Sequence, residues 1–178
     1  MNRLRWWIVV SAIAGLPLAA GAQQAWSRIG AGYFMAGILA IGTPADVEVG
    51  GSTGGGGHGV DASGLVTGGE GHSAFSDGAA GGYGFFNIGY AVLRRERLLV
   101  YPLLGIGGGA MARDSDSTVS SALLLNPGVG ADLLIPLTPG AGLVVGLRAG
   151  YTFSVWSDEW RWSVPCVRLL VGGYGAER

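Results

Sequence analysis

The side chains of this sequence that fall within its strands and could do chemistry at neutral pH include His58, Glu70, His72, Asp132, Arg148, Arg168 and the one cysteine, Cys166. In the run Gly69-Glu70-Gly71-His72 a carboxylate and an imidazole stand two positions apart, so an extended strand presents both on one face. Joined by His58, they offer oxygen and nitrogen ligands for a divalent metal. Nothing local puts His58 on that face, so a hydrogen-bonded Glu70–His72 pair is expected and a metal is not. Arg148, Arg168, Asp132 and Glu70 raise a different question. Charges withdrawn from water must pair, and these four are expected to form an ion-pair network across a shared interior, with Arg148 against Asp132.

Other patterns lack their context. Gly105-x-Gly107-x-x-Ala110 has the spacing of a dinucleotide fingerprint, with Asp132 downstream. That motif needs a helix whose first turn holds the pyrophosphate, and the sequence after Ala110 is loop-like. Asp114-Ser115-Asp116-Ser117-Thr118 alternates oxygen ligands but lacks the glycine and distal glutamate of a calcium loop. A single cysteine excludes an internal disulfide. No catalytic set has supporting context, so neither catalytic residues nor a cofactor are expected. A net charge of -1 offers no basic surface for nucleic acid.

The elements that position these residues follow from composition and period. Charged residues make up only 13% of the 178 residues, hydrophobic ones 49%, and 35 positions are glycine. At the start, Arg3 and Arg5 precede an apolar run from Trp6 to Ala20, and Ala20-Gly21-Ala22 matches a signal-peptidase site. A signal peptide over 1-22 and a mature domain over 23-178 are expected.

Beyond Gln23 the apolar residues recur every second position, the period of a strand. Seven turn-type clusters divide the chain into eight strands: 27-41, 50-60, 64-75, 79-93, 97-112, 120-136, 141-155 and 163-175. No helical crossover separates them, so neighbours pair antiparallel as an up-and-down meander. In 141-155, Leu143, Val145, Leu147, Tyr151 and Phe153 form a greasy face, while Gly146, Arg148, Gly150 and Thr152 stand opposite. A soluble barrel would turn the greasy face inward and leave glycine to meet water, a poor solvating surface. A transmembrane barrel turns it toward lipid and keeps the small and charged residues in the lumen. The second arrangement is expected, with Glu70, His72, Asp132, Arg148 and Arg168 lumenal. Trp26, Tyr90 and Tyr174 at one rim and Trp156, Trp160 and Trp162 at the other are expected to sit at lipid headgroups.

The leader, the strand count and the dyad repeat, with stretches such as Gly81-Gly82-Tyr83-Gly84-Phe85-Phe86-Asn87-Ile88-Gly89-Tyr90, resemble the small eight-stranded outer-membrane barrels of Gram-negative bacteria, the outer-membrane protein A and X types. The resemblance implies an all-β fold and a lipid bilayer as surroundings. It also implies insertion by the outer-membrane machinery, which in that class reads a terminal aromatic, here Tyr174 ahead of a short tail. No catalytic motif comes with it. It fits a non-enzymatic role in structure, surface interaction or minor permeability, with no surface partner identified. Two alternatives stay open: a secreted lipocalin-like barrel around an apolar ligand, and an outer-membrane enzyme acting on lipid.

Overall fold

The computed structural model describes residues 26–43, 46–113, 119–157 and 163–177. The expected signal peptide, together with Trp160 and Trp162, lies outside the described residues. Among the described residues nine strands form: β1 (Arg28–Thr43), β2 (Asp46–Val60), β3 (Leu65–Ser76), β4 (Ala79–Tyr90), β5 (Leu93–Arg95), β6 (Leu98–Arg113), β7 (Val119–Thr138), β8 (Ala141–Ser157) and β9 (Ser163–Glu177). All pairings are antiparallel, and each long strand pairs with its chain neighbours. β1 pairs with β9 and β4 with β6, which closes eight strands into a barrel without free edges. Closure gives each of the eight long strands a partner on both sides, the condition for spanning a medium without water.

The ninth element is a departure from the eight expected. The Arg94-Arg95-Glu96-Arg97 cluster expected as a plain turn is itself a tight hairpin, with β5 paired to the start of β6. Arg94 then ties the rim together, donating to the Trp26 carbonyl at 2.9 Å and the Ala62 carbonyl at 3.1 Å. The β2–β3 turn beside it uses Gly64 at φ 95°, a left-handed conformation that glycine adopts without penalty. Asp61 closes that turn by accepting from the Ser63 hydroxyl at 2.6 Å and the Leu65 amide at 2.9 Å. The Ser63 bond, helped by the backbone amides, holds the exposed Asp61 carboxyl below its ordinary range.

Side chains divide by the period of two. Phe34, Ile38, Leu104, Ile106, Val129, Leu133, Leu143, Leu147, Leu169 and Val171 point outward and are exposed. The exposed charges among the described residues are Arg28, Asp61, Asp77, Arg95, Glu96, Arg97 and Glu177, all at strand ends or in turns. Among the described side chains the outer wall between the rims is therefore an apolar band without charge. Inside, two dry clusters occupy the two ends of the barrel. One gathers Ile29, Val60, Val66, Leu99, Leu134, Val144 and Leu170; the other gathers Leu39, Ala74, Phe85, Met111 and Leu124.

Candidate functional site

Between the dry clusters lies a polar layer. Glu70 and His72 reach it from β3, His58 from β2, Asp132 from β7, Arg148 from β8 and Arg168 from β9; all are buried. Register explains the convergence. Glu70 stands opposite Gly56 on β2, so His58, two positions on, shares its face. Arg148 stands directly opposite Arg168. Like charges in that position repel unless a counter-charge sits between them.

Glu70 supplies it. Its Oε1 accepts from Arg168 Nη1 at 2.8 Å and its Oε2 from Arg148 Nη1. His72 Nε2 lies 3.4 Å from the same carboxylate, and its ring stacks on Tyr83 with centroids 4.8 Å apart. The structure differs here from the expected Arg148–Asp132 pair. Asp132 is fully buried and accepts from the Tyr101 hydroxyl at 2.8 Å, with His58 Nε2 3.1 Å away. Arg148 reaches that group only indirectly, donating from Nη2 to the Tyr33 hydroxyl at 2.6 Å and approaching His58 Nδ1 at 3.2 Å. A guanidinium nitrogen only donates, so Nδ1 accepts and the ring hydrogen of His58 belongs on Nε2, toward Asp132. The physical reason for the exchange of partners is closure. It brings β3 across the lumen from β8 and β9, and that placement is not encoded in chain adjacency.

Three aromatic residues of this layer escaped the sequence reading, Tyr83 against His72 and the pair Tyr33 and Tyr101. Tyr33 and Tyr101 also lay their rings against Arg148, with the guanidinium carbon 4.9 Å and 5.9 Å from the ring centroids. The signal was parity: Tyr101 shares the face of Gly105, Gly107 and Gly109 on β6. Neighbouring positions make room for these side chains. Beside Gly146, a methyl group would run into Asp132 Oδ1 and the Leu170 side chain. Gly146→Ala is accordingly expected to cost about 1–3 kcal/mol, the range for overpacking, read as a lower urea midpoint for the folded barrel.

The structure corrects the aromatic belt at one rim. Tyr90 is exposed there, but Trp26 and Tyr174 are buried, with rings in an edge-to-face contact 6.4 Å apart. Tyr174 keeps the parity of Arg168 and Leu170 on β9 and so turns inward, and Trp26 packs over the barrel end against it. At the other rim the backbone of Trp156 belongs to β8, and its side chain lies outside the described residues. Along the rest of β8, Leu143, Leu147 and Tyr151 are exposed, and Val145 and Phe153 half-buried, on the outer wall. Among the described residues no group of three or more His, Cys, Asp or Glu side chains is placed to hold a metal. What the polar layer does chemically is link strands on opposite sides of the barrel through charge-assisted contacts across the interior.

No protein-family model matches the sequence, and no curated protein matches it. Solved structures do. Neisserial surface protein A superposes with a TM-score of 0.62 at 12% identity, over 83% of this chain and 96% of that one. The N-terminal β-barrel domain of Pseudomonas aeruginosa OprF gives 0.52 at 15% identity, over 84% and 98%. Ail, the attachment invasion locus protein of Yersinia pestis, gives 0.52 at 15% identity over the same shares. Ail has also been solved with the heparin analogue sucrose octasulfate. At these identities the likeness speaks to fold. The chain has the closed eight-stranded antiparallel architecture of outer-membrane barrels.

Proposed function

We propose that this chain is a resident of a bacterial outer membrane, exported by a leader over 1-22. It acts there as a non-enzymatic barrel whose lumen is kept shut, in a structural or surface-interaction role with at most minor permeability. The observation that carries the reading is the apolar band around a barrel whose ionised side chains, among those described, are all inward or at the rims. Lipid is the solvent that suits such a wall. The lipocalin-like alternative requires the opposite facing, with large apolar side chains around a central cavity, and Phe34, Ile38 and Leu147 point outward instead. An enzyme acting on lipid would need its acid–base groups at the membrane interface, where the ester and headgroup bonds lie, whereas His58, Glu70 and His72 are buried in the barrel interior. A surface-interaction role draws support from the fold's use in proteins named for surface exposure and attachment.

The leading test is biochemical. Protein from envelope fractions should require detergent for extraction, migrate differently on gels before and after heating, and begin near Gln23 by N-terminal sequencing. Recovery in the detergent-free periplasmic fraction would overturn the assignment, and a retained Met1 would overturn the leader.

A further inference from the structure

Arg95 takes its side of the wall from a break in the ladder. Pairing of β4 with β6 ends at Gly89↔Leu103, and pairing of β5 with β6 begins at Leu93↔Val100. Three residues, Tyr90, Ala91 and Val92, thus stand against two, Tyr101 and Pro102. One extra residue on one strand is a β-bulge, which re-aims the side chains beyond it. Pro102 has no amide hydrogen to keep the ladder regular there. In β4 the odd positions Tyr83, Phe85 and Asn87 are buried, so an unbroken strand would turn Arg95 inward. After the bulge it is Arg94 that stands opposite the fully buried Leu99, and Arg95 stands opposite half-buried Leu98 on the outer face.

That placement leaves Arg95 unlike the other charges at its rim. Arg28 and Glu177 are also exposed on the outer face, but they stand opposite each other across β1 and β9 and balance. Arg95 faces an apolar residue instead, and it makes no ion pair or side-chain hydrogen bond among the described residues. Leu93 shares its face, and exposed Leu133 continues the row beyond Leu98. Tyr90, exposed on the same wall, marks the level at which amphipathic rings meet headgroups. In the adjoining turn Arg97 is set against one carboxylate, Glu96, so residues 95 to 97 are left with net positive charge.

We propose that this corner of the rim, centred on Arg95, binds the headgroup of an anionic phospholipid, whose acyl chains lie along the wall over Leu93, Leu98 and Leu133. An arginine stem covers apolar surface while its head stays at the polar boundary, and the guanidinium fork matches phosphate oxygens. An anionic headgroup supplies the negative charge that the ladder itself does not place opposite Arg95. The idea rests on the membrane reading and adds a lipid class and a location to it.

The test places the barrel in nanodiscs of phosphatidylcholine mixed equally with phosphatidylglycerol, then releases it into uncharged detergent and reads the retained lipid by native mass spectrometry. A retained phosphatidylglycerol in preference to phosphatidylcholine is expected. Arg95→Gln should lower that preference about fivefold, the effect of one arginine at a charged lipid surface. Arg28→Gln removes the same charge from the same rim and should leave the preference in place. Equal losses in the two variants, or no preference in the native chain, overturn the site while the membrane reading stands. So does displacement of the lipid by water-soluble glycerol phosphate, which would make the ligand a free phosphate. A barrel that stays in solution without detergent and does not enter the nanodisc overturns the membrane reading and the site with it.

Discussion

Glu70→Gln is expected to destabilise the barrel by at least about 3–5 kcal/mol, the cost of stripping the partner from a buried charge. Glu70 is the bridge for two guanidiniums at once, Arg148 and Arg168, so the loss belongs at the upper end. Urea unfolding in lipid vesicles, followed by tryptophan fluorescence, reads it directly. Pairing Glu70→Gln with Arg148→Gln should cost clearly less than the two single losses added, because contacting residues in one network couple. The combination of Arg148→Gln with Asp132→Asn should sit nearer additivity, since Tyr101 and His58 stand between those two charges. Strict additivity for Glu70 and Arg148 would show that their contact contributes nothing to the folded state. Conductance across planar bilayers should stay at baseline in every one of these variants. The dry clusters at either end, with Leu99, Leu134 and Leu170 in one and Met111 and Leu124 in the other, remain in place.

Leu147→Arg tests the outer wall with comparable force. Leu147 is half-exposed near the middle of β8, flanked across the ladder by Ala131 on β7 and Leu169 on β9. A guanidinium there has no partner in the wall and must meet acyl chains, at about 2–4 kcal/mol near the bilayer midplane. Folding titrations in lipid should reveal that loss. In a water-exposed barrel the same substitution would be nearly silent, as surface changes usually are, and that outcome would remove the lipid assignment.

The strand plan was legible because glycine, proline and charge clusters punctuate a clear period of two. The seven turn positions separate the observed long strands, and their ends shift by four residues at most, at the start of β2. The β5 hairpin was not legible, since three residues carry too little pattern to distinguish a short strand from a turn. Parity on β8 and β9 orients Arg148 and Arg168, yet their partner could not be chosen from the sequence. Asp132 sits on the strand next to Arg148 and looked nearer than Glu70, which meets both arginines only through closure. Trp26 and Tyr174 show the converse limit. Proximity to a chain end says which rim an aromatic approaches, and parity or packing decides which side of the wall it takes.

The Arg148–Glu70 and Arg168–Glu70 bonds join residues 78 and 98 positions apart in the chain. Closing loops of that length costs chain entropy, so the polar layer is expected to form late in assembly, once β1 and β9 have met. Interactions absent from the folding transition state show their strength in the rate of escape rather than the rate of arrival. The layer thus acts as a clock on the closed barrel: removing Glu70 should leave insertion times almost unchanged and shorten the lifetime of the inserted state many-fold.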